Sequence, residues 1–310
     1  MKNKSKYTVT IGIPVYNEEA NIDNLLISLL NQKCGNFVLR EISIYSDGST
    51  DKTHEKIETL IQKNPIIKLK KDRQRKGKYF RVNQIFRECK SDIIVVLDAD
   101  IALVGNRFLE KLVGVLIADD NAKMVAAHQI PLRPDNFIGK VIHASFVLWD
   151  FVRLSIPNHN SALNFFGSAT AYRGSFAQSV VIPTFLSDPH LFIYLMADKT
   201  NGFRYCRSAE ILQWSIATLS DLEKLLRRTI GKKDEKLEKM FGDKIKKVYF
   251  IPWQYKLIGI LKTFIRLPFY APLALLLNLI MLKRAAFLKP DTSPIWDIVT
   301  STKKPIKYEK

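Results

Sequence analysis

The strongest constraint on the fold of this chain is the segment 91–100, which reads Ser-Asp-Ile-Ile-Val-Val-Leu-Asp-Ala-Asp. Its unbroken apolar run is too short for a helix and is typical of a central parallel strand covered on both faces. In open α/β sheets, ligands bind in the crevice beyond the carboxyl ends of the strands. Asp98 and Asp100 end this strand, and two carboxylates with phosphate oxygens and water commonly hold Mg²⁺ or Mn²⁺. The alternative is a plain turn, which aspartate also favours.

Comparable strand and helix patterns precede this segment. Residues 7–15 predict a first strand, and residues 18–30 carry apolar side chains at helical spacing. Residues 39–45 and 66–70 predict two further strands, each followed by a helical pattern. Strands that alternate with amphipathic helices indicate parallel β-α-β units, so the sequence predicts an α/β fold with one ligand-binding edge.

Beyond residue 100 the patterns are looser. Residues 106–118 predict an amphipathic helix and residues 124–129 a strand. We expect the region up to Arg207 to complete the sheet and to form the second wall of the cleft. Residues 209–247 are rich in charge, and we expect them to be helical.

The net charge of +18 for 310 residues indicates an anionic partner such as nucleic acid, an acidic membrane surface or a phosphorylated substrate. Residues 221–310 hold 20 Lys and Arg against 9 Asp and Glu, so the basic end is also the apolar end. The three cysteines are far apart in sequence and form no Cys-x-x-Cys pair. A disulfide framework or a zinc site is therefore disfavoured, and a reducing cytosol is the natural environment.

The last quarter of the chain predicts contact with a membrane. Residues 249–266 set apolar and aromatic side chains against lysine and arginine, and residues 267–282 are almost wholly apolar. This run is shorter than the roughly 20 apolar residues of a spanning helix. It fits an interfacial helix followed by a short re-entrant segment, with a buried helical hairpin as the alternative. We therefore divide the chain into a domain 1–247 and a membrane-associating region 248–310.

Four polar turns follow the predicted strands in order. They are Ile-Pro-Val-Tyr-Asn-Glu at 13–18, Asp-Gly-Ser-Thr-Asp at 47–51, Gly77 and Lys78 with Asn83, and Asp-Ala-Asp at 98–100. Their order and spacing over roughly the first hundred residues resemble the family-two glycosyltransferases with the GT-A fold, whose mixed, mainly parallel sheet is Rossmann-like. The resemblance implies a nucleotide-sugar donor, usually UDP-linked, a divalent Mn²⁺ or Mg²⁺ ion, and inversion at the anomeric carbon.

The same resemblance implies roles for individual residues. It assigns Pro14, Tyr16 and Glu18 to the first nucleotide-binding turn, Asp47 to a hydrogen bond with the base, Lys78 to the diphosphate or sugar, Asp98 to the ribose or the metal, and Asp100 to the metal. A carboxylate that accepts from a base N–H while an aromatic ring packs nearby is a sensible nucleoside clamp. At position 46 the chain has serine where the family commonly has a second acid.

The resemblance also points to a general base well downstream of the metal motif. Asp188 matches the second acid of the family's pair that opens a helix, while Ser187 stands where glutamate is common. A carboxylate before Pro189 is also an ordinary helix cap. His190 is a rival base, because its unperturbed pKa lies near neutrality.

A processive polymer synthase is disfavoured by residues 225–229. This Leu-Leu-Arg-Arg-Thr segment lies where polymer-making members carry Gln-x-x-Arg-Trp, and the full motif is absent. Arg227 and Arg228 fit a solvated basic face better than a contact with the diphosphate.

We therefore expect an inverting glycosyltransferase that moves one sugar to a lipid-linked or cell-surface glycan acceptor at the cytoplasmic face of the cell membrane. A catalytically weak binding or scaffolding subunit and a sugar nucleotidyltransferase are the alternatives. The nucleotidyltransferase usually has a Gly-rich basic loop after the first strand, which residues 13–18 lack. Nucleic-acid binding is disfavoured because the charge accompanies a long apolar segment. A Rossmann dehydrogenase is excluded by the absence of Gly-x-Gly-x-x-Gly after the first strand.

Overall fold

The computed structural model describes residues 6–229, 235–289 and 291–306. The strands are β1 (Tyr7–Val15), β2 (Phe37–Ser46), β3 (Ile67–Lys70), β4 (Ile93–Leu97), β5 (Ala102–Leu103), β6 (Met124–Leu132), β7 (Ala169–Arg173) and β8 (Phe203–Trp214). The helices are α1 (Ile22–Leu30), α2 (Thr53–Ile61), α3 (Lys78–Glu88), α4 (Phe108–Ala118), α5 (Phe137–Ser155), α6 (Gly174–Ser179), α7 (Pro189–Asp198), α8 (Leu219–Thr229), α9 (Glu235–Phe241), α10 (Lys244–Val248), α11 (Trp253–Arg266) and α12 (Tyr270–Ala285).

The strands form one sheet in the order β3-β2-β1-β4-β7-β6-β8-β5. The first four strands are parallel, and β1 lies between β2 and β4. The winding of the chain therefore reverses between β1 and β4, and the carboxyl ends of both strands open onto the same crevice. This arrangement confirms the predicted parallel β-α-β units, and it brings the carboxyl ends of their strands to one edge of the sheet.

The other half of the sheet is mixed. Strand β7 is antiparallel to both of its neighbours, β4 and β6, whereas β6 and β8 are parallel. The insertion of β7 brings Ser168 to the end of β4, where its carbonyl accepts from the backbone N–H of Asp98 at 2.8 Å. The mixed, mainly parallel sheet predicted from the resemblance is confirmed.

The prediction of a helix from residue 209 is wrong at its start, because β8 continues to Trp214. Buried Ala209 and Ile211 alternate with the less buried Glu210 and Leu212, as expected of a strand. The pairing with β6 is broken just before this segment, where Ala127 pairs with Cys206 but the next residue pairs with Glu210. Residues 230–234 of the predicted helical region lie outside the described residues.

Strand β4 is buried on both faces, as its apolar run predicts. Ile93, Val95 and Leu97 belong to one hydrophobic cluster, which also contains apolar residues of α1 and α4. Ile94 and Val96 belong to a second cluster on the other face, with residues of α3 and α7. Burial on both sides fixes the position of the two aspartates that follow the strand.

Helices α11 and α12 pack on α5. Gly259 of α11 permits a close approach, because a Cβ atom there would lie 2.3 Å from the side chain of Val152. Large apolar side chains of the two helices remain exposed, including Trp253, Leu261, Ile265, Phe269, Leu279 and Leu282. Within the described residues, no helix combines the length and the hydropathy needed to cross a bilayer.

Candidate functional site

The two aspartates after β4 lie at the crevice edge of the sheet. Lys78, the first residue of α3, places its Nζ atom 2.6 Å from Oδ1 of Asp98. Asp100 accepts a hydrogen bond from the Gln213 side chain at 3.0 Å. Burial and the neighbouring charge of Asp98 raise the pKa of Asp100 to about 6. The site therefore concentrates negative charge that a cation would neutralise.

The first turn, residues 14–18, is fastened to the second. Asn17 has a positive φ of 51°, which asparagine tolerates better than most residues. Its side-chain oxygen accepts from the backbone N–H of Thr50 at 2.8 Å, and the N–H of Glu18 donates to Thr53 Oγ1 at 2.8 Å. The ends of β1 and β2 thus form one rigid surface.

Asp47 is buried at the end of β2 and organises the basic loop that precedes α3. Its Oδ1 accepts from the N–H of Lys76 and from Arg81 Nε, both at 2.8 Å. Its Oδ2 accepts from the N–H of Gly77 at 2.9 Å. That Asp47 accepts a hydrogen bond from the nucleotide base stays a prediction. The observed contacts show that this carboxylate also fixes the loop that leads into α3.

The ring of Tyr16 packs against Arg75, another residue of the basic loop that precedes α3. The guanidinium of Arg75 sits 4.2 Å from the centre of the Tyr16 ring, within the range of a cation–π interaction. Arg75 also donates to the carbonyl of Trp296 at 2.7 Å. Tyr16 is therefore joined through Arg75 to a distant part of the chain.

That distant part is a segment that we call the C-terminal strap, residues 291–306, which crosses the crevice. Trp296 of the strap packs edge-on against Tyr79 at 5.5 Å between ring centres. The Arg228 guanidinium stands 4.9 Å from the Trp296 ring and bonds the carbonyl of Asp297. Ser301 donates its N–H to Asp221 at 2.9 Å. The strap is thus held by α3 and α8.

Lys303 fastens the strap to the first turn. Its ammonium donates to the backbone carbonyls of Tyr16 and Asn17 at 2.6 and 2.8 Å. It also donates to Oε1 of Glu18 at 2.7 Å. Burial, followed by the charge of Asp100, raises the pKa of Glu18 to about 8 despite this cation. Glu18 Oε2 is buried without a hydrogen-bond partner among the described residues.

These elements enclose a cavity of about 200 Å³. The sequence-predicted residues that line it are Pro14, Tyr16, Glu18, Asp47, Lys78, Asp98 and Asp100. Its other charged or aromatic lining residues are Arg75, Arg228, Trp296, Asp297 and Lys303. The structure therefore brings all seven residues proposed for donor and metal binding into one cleft. Within the described part of the chain, Asp188 does not line this cavity.

Asp188 caps the amino terminus of α7. Its Oδ1 accepts from the backbone N–H of Leu191 at 2.9 Å, and Pro189 occupies the first turn. Its Oδ2 accepts from the hydroxyl of Tyr249 at 3.0 Å. Asp188 is thus a helix cap, as the alternative interpretation of the sequence predicts. Its role as general base stays a prediction, which capping does not exclude.

His190 packs in an aromatic environment. Its ring meets Tyr79 at 5.5 Å and Phe165 at 5.6 Å between centres. It also lies against Gly167, where a Cβ atom would stand 2.1 Å from the imidazole. Burial, followed by the charge of Lys78, lowers the pKa of His190 to about 3. Such an imidazole is a weak base, so these surroundings favour Asp188.

The donor set fits a hard cation with help from a ligand. Among the described residues, no group of three or more His, Cys, Asp or Glu side chains is arranged to hold a metal ion. Burial, followed by the charge of Asp98, nevertheless raises the pKa of Asp100. Mg²⁺ and Mn²⁺ are often held by one or two carboxylates completed by phosphate oxygens and water. The pair suits that arrangement.

Sequence reasoning assigned no role to Arg75, Trp296, Asp297 or Lys303 of the cleft, and it misjudged Arg228. Arg75, Trp296 and Lys303 carry no local motif, because their role depends on contacts between distant segments. The prediction that Arg228 lies on a solvated basic face is wrong, since it is half-buried against Trp296 and lines the cavity. For Trp296 and Lys303, the sequence signal is the presence of basic and aromatic residues after an apolar helix.

Comparison with known proteins gives a family profile and several relatives. The profile described as Glycosyl transferase family 2 matches residues 10–177. A dolichol-phosphate mannosyltransferase of Pyrococcus furiosus is 35% identical over 93 residues, which are 30% of this chain and 26% of that protein. An uncharacterized glycosyltransferase of Haemophilus influenzae is 32% identical over 109 residues, or 35% of this chain and 42% of that protein. The chain thus spans less than half the length of these curated relatives.

Solved structures extend the likeness to most of the chain. The mannosyltransferase PcManGT of Pyrobaculum calidifontis, in complex with GDP-Man and Mn²⁺, has a TM-score of 0.58 and 18% identity, covering 92% of this chain and 76% of that one. S. aureus TarS 1-349 has a TM-score of 0.51 and 15% identity, covering 73% of this chain and 65% of that one. At these identities the likeness shows a shared fold, which confirms the predicted GT-A architecture.

Proposed function

The chain belongs to glycosyl transferase family 2, and on that premise we propose that it is an inverting, metal-dependent glycosyltransferase. It moves a single sugar from a nucleotide-sugar donor, which we expect to be UDP-linked, to a lipid-linked or cell-surface glycan acceptor. The observation that carries the proposal is the cavity at the edge of the sheet, where the turns after β1, β2 and β4 meet.

The charges of the cavity suit a nucleoside diphosphate. Lys78 and Lys303 both line it, and Arg75 and Arg228 add two guanidinium groups. Guanidinium and ammonium groups are the usual protein partners of phosphate oxygens. The aspartates after β4 stand in the same cavity, so a diphosphate would meet the cations of its lining and a divalent cation would meet its carboxylates.

Asp98 and Asp100 are the residues that would hold Mn²⁺ or Mg²⁺. The bound ion would neutralise charge that grows on the departing nucleoside diphosphate. Lys78, fixed by Asp98, supplies a cation of the protein for the same purpose. Asp188 accepts the proton of the acceptor hydroxyl, as the general base of an inverting transfer.

A lipid-linked or cell-surface acceptor implies that the protein works at a membrane surface. Helices α11 and α12 expose Trp253, Ile265, Phe269 and Leu282 at 66 to 83% of their full area. Lys283 and Arg284 are exposed at the end of α12. Apolar side chains flanked by cations suit the interface of a membrane with anionic lipids, here the cytoplasmic face.

Thermal unfolding in the presence of nucleotide sugars tests donor binding. UDP-glucose, UDP-N-acetylglucosamine and GDP-mannose are each added with and without Mn²⁺. A donor present at a hundredfold excess over its Kd stabilises the native state by about 2.7 kcal/mol, which is about 5 °C for a chain of this size. Absence of any shift with all donors and Mn²⁺ would refute the proposed donor site.

The variant Asp100→Asn tests metal dependence and catalysis together. We expect the Mn²⁺-dependent part of the thermal shift, and the release of nucleoside diphosphate from the stabilising donor, to be lost. Asp120→Asn is the matched control, because the Asp120 side chain is 93% exposed. Undiminished release in Asp100→Asn would sink the assignment.

Co-flotation with vesicles tests the membrane surface. Wild-type protein should float with vesicles that contain an anionic lipid, and the variants Leu261→Glu and Ile265→Glu should stay in solution. Val181→Glu alters an equally exposed apolar residue outside these helices, since Val181 is 76% exposed. Equal flotation of all variants would exclude α11 as the contact.

A further inference from the structure

Asp188 meets a hydroxyl group from a part of the chain that no motif indicates. Tyr249 follows α10, and its hydroxyl lies 3.0 Å from Oδ2 of Asp188. The other carboxylate oxygen caps α7 through Leu191. Tyr249 and Leu191 are thus two of the groups that hold the carboxylate, and Tyr249 lies 61 positions away in sequence.

Tyr249 is held firmly by the helices that precede it. Leu237 of α9 and Ile245 of α10 are buried in the same hydrophobic cluster as the apolar residues of α7. Phe241 at the end of α9 meets Phe192 of α7 at 5.9 Å between ring centres. Helices α9 and α10 are thus packed on the helix that Asp188 caps, and Tyr249 is carried with them.

The direction of this hydrogen bond follows from its surroundings. Burial, followed by the charge of Asp188, raises the pKa of Tyr249, so the phenol keeps its proton and donates. Among the described residues, Tyr79 interacts with the charge of Asp188 and its pKa is raised, chiefly by burial, while burial lowers the pKa of the neighbouring His190 to about 3. Both are neutral near pH 7, and Lys78 is a nearby cation.

We propose that Tyr249 is a positioning residue that orients Oδ2 of Asp188 and keeps this carboxylate ionised for the transfer step. The inference rests on the proposed function, in which Asp188 is the base. As the acceptor oxygen bonds to the anomeric carbon, its proton passes to Asp188 and the bond from that carbon to the diphosphate oxygen breaks with its electron pair. A carboxylate oxygen has two lone-pair sites, so accepting from Tyr249 does not by itself prevent Oδ2 from receiving the proton.

The test measures the titration of Asp188 directly. Protein labelled with ¹³C at the aspartate carboxyl carbons is titrated by NMR, and the Asp188 signal is assigned by its loss in Asp188→Asn. In Tyr249→Phe the ring stays in its packing but the donor is lost, so the midpoint of Asp188 should rise by about one pH unit. Tyr194→Phe is the control, because Tyr194 lies on α7, the helix that Asp188 caps, and donates to Asp198 at 3.4 Å at the carboxyl end of that helix.

The outcomes separate this inference from the proposed function. An unchanged Asp188 midpoint in Tyr249→Phe, or an equal rise in Tyr194→Phe, overturns the positioning role. The release of nucleoside diphosphate from the donor found by thermal shift is then measured against pH. Tyr249→Phe should move its acidic limb to higher pH with the donor KM unchanged, whereas full activity in Asp188→Asn would refute the base itself.

Discussion

Replacement of Lys303 with methionine tests how the C-terminal strap is fastened. The ammonium makes three contacts of 2.6 to 2.8 Å with the first turn, and methionine keeps the length of the side chain without its charge. Hydrogen bonds to charged groups contribute about 1.5–3 kcal/mol each. Because the Lys303 side chain is 23% exposed, screening reduces this contribution. We expect the free energy of unfolding to fall by about 2 kcal/mol at pH 7.

Glu18 gives this prediction a pH signature. Burial raises the pKa of Glu18 to about 8, Lys303 opposes the rise, and loss of Lys303 therefore raises this pKa further. A carboxyl whose folded pKa is raised loses its stabilising contribution as pH increases through that pKa. The wild type stops losing stability from this group above pH 8, whereas the variant continues to lose about 1.4 kcal/mol per pH unit. The difference between the two proteins should widen between pH 8 and pH 9.

Urea unfolding followed by far-ultraviolet circular dichroism measures this difference at pH 7 and pH 9. Lys304→Met is the matched control, since Lys304 is the exposed neighbour of Lys303. Equal free energies of unfolding in the two variants, or a loss in Lys303→Met that is independent of pH, would show that Lys303 does not fasten the strap through Glu18.

Two further predictions concern the strap and the metal. Gly77 has a φ of 96°, and a Cβ atom there would lie 1.9 Å from the carbonyl oxygen of Pro294. A residue other than glycine in the left-handed region costs about 1–2 kcal/mol. Gly77→Ala should lower the free energy of unfolding in urea by well more than this, whereas Gly105→Ala should lower it by only this amount. Gly105 has a φ of 75° with nothing near its Cβ position, so equal losses would contradict the close approach of the strap. Burial and the charge of Asp98 raise the pKa of Asp100 to about 6, so Mn²⁺ affinity measured by calorimetry should fall below pH 6 as this ligand takes up a proton. An affinity that is unchanged at pH 5 would argue against Asp100 as a ligand.

The donor side of the site was predictable because its signals are local. Asp98 and Asp100 follow a strand whose apolar run is complete within the segment, and the parallel arrangement brings the ends of β1, β2 and β4 together. Lys78 begins a helix directly after Gly77, so its place is also set by neighbours in sequence. Local pattern and sheet topology were enough to assemble these residues.

The rest of the site depends on contacts between distant segments. Trp296 and Lys303 reach the cleft through an irregular segment with no periodic pattern, so propensity gives no indication of their position. The helix expected from residue 209 failed because residues 210–214 pair with β6, a strand much earlier in the chain. Information of this kind resides in the tertiary structure.

The C-terminal strap has a consequence for the order of events during synthesis. Glu18 and Lys303 are 285 positions apart, yet they meet at 2.7 Å in the wall of one cavity. Such a contact forms late, because a large loop must close before it is made. As the ribosome delivers the chain from its amino terminus, β1 to β4 can pair long before residue 303 emerges. The nascent cleft therefore holds Arg75 and Lys78 from an early stage, but Glu18 gains its ammonium partner only when the strap arrives.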